Sequence, residues 1–371
     1  MGANWRYLDL GRTGPYENAA VMPVLVRSVA ETGVPTAQIS VWGQSHVNVG
    51  WFDDIDATLD LDGCRERGID VIRRMFYGGG TVWYQAECSM MWGFLLPKDA
   101  GADLDSSLLR FQRVITDALG EAGLGEVEFE GSSDLRWHGR KLGALTAQDV
   151  VGCHSVGGFL NLAPPDLDEF LAVFRVPDDK FKDKLVTDMR EYVCTAEQVV
   201  GHRVTYEEVR DSLVEALTRH GIELEPSELS DGERKGFTRT AERVGSDAHL
   251  RRVSSRAFAE EASPTDRVGF ANHKGRKLCR AGVSLDATPT IVAAMMAGDM
   301  HVSPPATMDD VARALVGARA DDVADVRSRI ASVFERAEVT QADAMMGVTT
   351  DDLLSAVIKA VDAATTSSPS P

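Results

Sequence analysis

Several things are scarce in this chain of 371 residues, and each scarcity excludes a class of protein. No apolar run approaches the roughly 18–20 residues of a membrane span; the stretch 89–97 comes nearest, at about half that length. Residues 1–10 have no basic start followed by an apolar core, so no secretory leader is expected. Gly2 is followed by Arg6 where an N-myristoylated protein carries Ser or Thr. Cysteine is sparse: Cys64, Cys88, Cys153, Cys194 and Cys279 are odd in number, widely spaced and without a CxxC pair. That excludes a zinc or disulfide framework and fits a reducing cytoplasm. Basic residues number 39 against 57 acidic ones, a net charge of −18, which argues against nucleic acid as a partner. Only nine of the 39 are lysines, so a lysine inside a motif carries weight.

What is present is ordinary for a globular protein: 44% hydrophobic and 26% charged residues, with length for two or three units of roughly 100–200 residues each. The expected class is α+β, with mixed and antiparallel sheets and packed helices. Helical spacing covers 17–31, with Pro23 in its first turns, and 105–121, where Leu108, Leu109, Phe111, Ile115 and Leu119 form the apolar stripe. A third helix at 205–220 opens on Thr205 with Glu208 three residues on, a capping box. Strands are expected at 37–42, 46–51, 69–73, 127–131, 134–137, 141–147 and 150–162, with His138-Gly139 as a tight turn. The polar stretch 226–244 reads as a boundary. Beyond it come a hairpin at 281–294 and helices at 308–316, 322–337 and 350–364.

Familiar motifs fail on inspection. There is no Walker lysine and no GxGxxG opening a helix. An EF-hand loop counted back from Gly63 puts Ile69 where a Glu is required. Cys153-His154-Ser155-Val156-Gly157 is one residue away from a nucleophile elbow. It reads as strand, however, and neighbouring side chains on a strand face opposite ways, so Cys153 and His154 do not form a dyad.

Three segments carry chemistry. Arg73-Arg74 precede Gly78-Gly79-Gly80 and then Thr81-Val82; backbone amides beside an arginine can cradle an anion. Asp134-Leu135-Arg136-Trp137-His138-Gly139-Arg140-Lys141 is a hairpin that delivers Lys141 into a sheet beside Gly143 and Ala144, where a buried ammonium needs an anion. Residues 176–184 hold Lys180, Lys182 and Lys184 in a charged loop, of which Lys182 is read as solvated.

In order and spacing these segments resemble the lipoate–protein ligase family of the biotin/lipoate ligase superfamily. Arg73–Val82, Ser133–Leu135, Gly139–Ala144 and Pro177–Lys184 stand for its Arg-Arg-x-Ser-Gly-Gly-Gly-Ala-Val, Asn-Asp-Leu, Gly-x-Lys-x-x-Gly and Pro-x-x-Lys-x-x-x-Lys segments. Residues 5–9 and 48–52 look like its start. Ala297-Gly298-Asp299, Pro304-Pro305 and 314–317 look like its accessory domain. The resemblance implies a catalytic domain at 1–235, a linker at 236–248, an accessory domain at 249–364 and a disordered tail at 365–371.

It also implies an activity: ATP-dependent adenylation of a carboxylic acid, lipoate or an analogue, then transfer of the acyl group to a lysine of a lipoyl-carrier domain. Lys141 would be catalytic. Arg73, Arg74, Tyr77, Gly78, Gly79, Gly80, Thr81, Val82, Tyr84, Gly157 and Gly158 would hold the acyl-adenylate. Asp134, Lys180 and Lys184 would bind nucleotide, with Mg²⁺ on Asp134. The alternatives are an adenylating amide synthetase with a different acid and a non-carrier amine, and a non-catalytic binder of a lipoyl-bearing protein. A cysteine acyltransferase is a further reading. Octanoyl-transferring relatives carry their cysteine shortly before the lysine hairpin; residues 128–134 contain none, which argues against it. Phe76, Tyr77 and Tyr84 replace small or polar family residues, so the acyl pocket is expected to be short or flat.

Overall fold

The structure, a computed structural model, describes residues 4–75, 79–98, 103–130, 133–150, 152–175, 187, 190–341 and 347–366. It divides into two compact units, each built from three segments. The first comprises Met1–Val47, Cys64–Ile72 and Trp83–Gly245; the second comprises Asn48–Gly63, Arg73–Val82 and Ser246–Pro371.

The first unit is organised on an eight-stranded mixed sheet. From one edge the strands run Glu223–Pro226, Asn4–Thr13, Thr36–Trp42, Ser89–Pro97, Cys153–Asn161, Arg140–Val150, Asp134–Trp137 and Val127–Glu130. The two pairings of Asn4–Thr13 are parallel, and the pairings from Thr36–Trp42 onward are antiparallel. Alternation sends Trp92 and Phe94 to the face covered by helices Leu104–Glu121 and Tyr206–Arg219, where Phe94 stacks on Phe111 at 4.1 Å. Helix Pro15–Thr32 covers the other face, where the Asn18 amide donates to Ser40 Oγ.

Local chemistry explains these helices. Asp103 caps Leu104–Glu121 by accepting from the Ser106 N–H, and Thr205 and Glu208 form the expected capping box. Within Leu104–Glu121, Phe111, Val114, Ile115, Ala118 and Leu119 are buried, whereas Leu109 is exposed: its angular position lies off the apolar stripe.

Two elements differ from the sequence reading. Ser89–Pro97 is a central strand buried on both faces, so it shows a continuous apolar run in place of alternation. Residues 236–244, expected to begin a linker, belong to the helix Asp231–Val244, capped by Ser230 and Glu233 and packed on Pro15–Thr32. A polar helix of this kind shows little sequence signal because few of its side chains are buried.

In the second unit an antiparallel sheet of Arg267–Lys274, Leu278–Leu285 and Ile291–Gly298 is covered by helices Thr307–Leu315, Val323–Phe334 and Thr350–Thr366. Thr365 and Thr366, expected in the tail, close the last helix; 367–371 lie outside the described residues. Phe52, from the earliest segment of this unit, is part of its core. No described helix is long and apolar enough to cross a membrane.

Candidate functional site

The lysine hairpin forms as its sequence requires. His138 and Gly139 both adopt positive φ, +47° and +77°, which turns Asp134–Trp137 back into Arg140–Val150. Leu135 pairs with Gly143, but Arg136 pairs with Lys141, so the register shifts between them. The shift leaves Leu135 and Leu142 both fully buried in the core while Arg136 and Lys141 stand opposite each other. Two cations facing each other across a ladder repel. Asp134 resolves this, because it lies two residues from Arg136 and shares its face. Lys141 Nζ is 2.8 Å from Asp134 Oδ1, and Arg136 Nη2 is 3.1 Å from Oδ2. The Tyr192 hydroxyl donates to the same Oδ2 at 3.3 Å. Burial works against the Arg136 charge, but Tyr192, Glu130 and Asp134 outweigh it and hold the guanidinium above its ordinary pKa.

Sequence reasoning placed Asp134 on nucleotide and Mg²⁺. In the structure both of its oxygens are engaged by Lys141, Arg136 and Tyr192. Among the described residues, no group of three or more His, Cys, Asp or Glu side chains is placed to hold a metal ion. A nucleotide or Mg²⁺ on Asp134 would have to compete with these protein partners for its oxygens. Tyr192 and Arg136 were not selected from sequence. Arg136 had a signal in its position two residues from Asp134; Tyr192 had none, since it arrives from 56 residues away.

Tyr84, in the same unit, stacks on Trp42 at 4.8 Å and meets the edge of Phe159 at 6.5 Å. His46 stacks on Tyr84 and lies tilted against Trp42, and burial pushes its pKa down to about 4. Gly157 and Gly158 lie in the strand Cys153–Asn161, which is a strand throughout, as expected, and not an elbow. The Gly157 carbonyl accepts from Thr146 Oγ1. A Cβ on Gly158 would lie 1.9 Å from the Ala144 carbonyl oxygen and 2.9 Å from Trp92 Nε1, so glycine is required there by packing.

The arginine–glycine segment belongs to the second unit and is differently built from the expected cradle. Arg73 is fully buried and donates to the backbone carbonyls of Gly50, Trp51, Asp53, Leu250 and Val253. Burial pulls its pKa down to about 9, which leaves it charged at neutral pH. Arg74 donates to the carbonyls of Gly79 and Gly80 at 2.7 and 2.9 Å. The Gly79 N–H donates to the Met300 carbonyl, and the Thr81 N–H and hydroxyl donate to Asp53. The amides of Gly79 and Thr81 are therefore used within the fold, and so is the Arg73 fork. Gly79 has φ +96°, the conformation that calls for glycine here. Among the described residues of this segment, Val82 is exposed. Tyr77, Gly78, Lys180 and Lys184 lie outside the described residues.

The lipoyl protein ligase A/B catalytic domain model matches residues 14–218, more than half of the chain. An octanoyltransferase LipM of Moorella thermoacetica is 26% identical over 262 residues, 62% of this chain and 91% of that protein. Two solved structures share the fold. The Plasmodium falciparum LipL1 complex with lipoate covers 96% of this chain and 99% of its own, with TM-score 0.69 and 12% identity. A bi-partite lipoate protein ligase from Thermoplasma acidophilum covers 68% and 97%, with TM-score 0.59 and 21% identity. Further curated relatives from Staphylococcus aureus and Bacillus subtilis are also named octanoyltransferase LipM. These names overturn the expectation of ATP-dependent adenylation, and the missing cysteine at 128–134 was too weak an argument against acyl transfer. The chain belongs to the lipoyl protein ligase A/B catalytic domain family.

Proposed function

We propose that this protein is an acyltransferase that moves an octanoyl-class group from a carrier thioester to a lysine amine of a lipoyl-carrier domain. The observation that carries the reading is Lys141 held 2.8 Å from Asp134 on a hairpin inside the family-matched stretch, in a chain whose curated relatives are named for octanoyl transfer. A thioester is already activated, so the chemistry needs no adenylate. The acceptor amine attacks the carbonyl carbon, a C–N bond forms and the C–S bond breaks. The carrier leaves as a thiol with the proton that the amine sheds. Negative charge gathers on the carbonyl oxygen in between, and a fixed ammonium is the group that stabilises it.

Burial raises the thiols of Cys88, Cys153, Cys194 and Cys279, to about 11 for Cys153 and about 12 for Cys279, so these four are not activated thiolates. The test is to mix the protein with an octanoyl-carrier thioester and a lipoyl domain, without ATP, and to weigh the intact acceptor. Octanoylation is expected. An acceptor modified only when free octanoate and ATP are supplied would overturn the reading.

A further inference from the structure

We infer that Asp134, braced by Arg136 and Tyr192, is a positioning residue for Lys141, so that the segment around Tyr192 is part of the acyl-transfer site. This rests on the reading of Lys141 as the cation that meets the acyl oxygen. An ammonium on a four-carbon stem has many rotamers, and its usefulness depends on being held at one place. Lys141 is held by a single carboxylate oxygen at 2.8 Å, while its side chain keeps 26% exposure. The second oxygen of that carboxylate is itself fixed from two directions, by Arg136 at 3.1 Å and by Tyr192 at 3.3 Å.

The bracing groups also hold each other. Arg136 Nη2 donates to the Tyr192 hydroxyl at 3.4 Å, and its guanidinium lies over the Tyr192 ring at 5.2 Å. Arg136 is further anchored by the Gly139 carbonyl and by Glu130. Tyr192 is brought there by main chain: the Cys194 N–H donates to the Lys141 carbonyl at 2.9 Å, Val193 bridges Lys141, and Arg140 donates to the carbonyls of Arg190 and Val193. The segment 190–194 is thus fastened to the lysine's own residue. Tyr192 remains half exposed, which a residue serving only the core would not be.

The experiment reads Lys141 in two independent ways. Competitive acetylation of the intact protein, followed by peptide mass spectrometry, reports how well Lys141 is shielded. Lys98, paired with Asp149 at 3.1 Å, serves as internal reference. Asp134→Asn should raise the Lys141:Lys98 labelling ratio about threefold to fivefold, as expected for loss of a partly exposed ion pair. In octanoyl transfer the same variant should lower kcat about tenfold or more with KM within about twofold. Asp134→Glu should recover part of kcat, because the charge is restored at a slightly wrong reach. Tyr192→Phe should lower kcat by a smaller factor with an unchanged melting temperature, and it keeps the inference testable if Asp134→Asn fails to fold. If labelling and kcat in Asp134→Asn, or kcat in Tyr192→Phe, match the unaltered protein, the positioning role is wrong while the transfer reading stands. If Lys141 labelling rises but the unaltered protein moves no octanoyl group, the transfer reading falls and the positioning of Lys141 stands.

Discussion

Arg6 and Glu233 meet as a two-pronged ion pair, Nη1 to Oε1 at 2.5 Å and Nη2 to Oε2 at 2.7 Å. Glu233 also accepts from the Ser230 N–H, so one carboxylate both caps the helix Asp231–Val244 and ties it to the strand Asn4–Thr13. Burial opposes its charge, but Arg6 and the cap outweigh burial and hold its pKa down at about 2 against an ordinary 4.5. A carboxylate with a depressed folded pKa stabilises fully above its unfolded pKa, and that stability is lost as pH falls through the folded value. The span corresponds to about 3 kcal/mol. Urea unfolding should therefore show Glu233→Gln well below the unaltered protein at pH 7, with the gap closing between pH 4.5 and 2. A gap independent of pH would contradict this.

Arg73 should behave as a structural residue. Replacing it with Met leaves buried carbonyls without donors, at about 1–3 kcal/mol each. A large fall in melting temperature is expected, and Arg73→Lys should not restore it, because one ammonium cannot reach carbonyls that a planar fork joins. Normal stability in Arg73→Lys would show that the fork is dispensable.

For Lys141→Ala, octanoyl transfer should fall by about 10²–10³ with the fold intact, the usual loss for one preorganised charge donor. Lys141→Arg should stay inactive. Retained transfer in the alanine variant would remove Lys141 from the chemistry.

Tyr84 offers a handle on acyl length. Its ring fills space against Trp42 and Phe159, so Tyr84→Leu should favour longer chains, at about 0.8 kcal/mol, or roughly fourfold, per additional buried methylene. The measurement is kcat/KM across hexanoyl, octanoyl and decanoyl thioesters. An unaltered order of preference would place Tyr84 away from the acyl chain.

Much of the fold was legible because its signals are local. The Thr205 capping box, the His138-Gly139 turn and the stripe of Phe111, Ile115 and Leu119 each follow from neighbouring residues. Ser89–Pro97 was not legible as a strand, because burial on both faces erases alternation. The site was legible to the level of residue type and no further. Lys141 and Asp134 were both selected, but nothing in sequence says that the carboxylate would turn to the lysine and not to a ligand. Arg73 and Gly79 showed the same limit: an arginine beside glycines reads alike whether its donors face a ligand or backbone carbonyls brought in from residues 250 and 253.

The second unit is stitched from Asn48–Gly63, Arg73–Val82 and Ser246–Pro371. During synthesis its first two pieces leave the ribosome long before the third, and Phe52 and Arg73 wait for the partners that will bury them. Their pairing then has to close loops of well over a hundred residues, the kind of non-local contact that slows folding and leaves apolar surface open to aggregation. A stop codon after Gly245 would therefore not release a clean first unit. It would leave two stranded pieces of the second, so the two units are not independent cassettes in a gene.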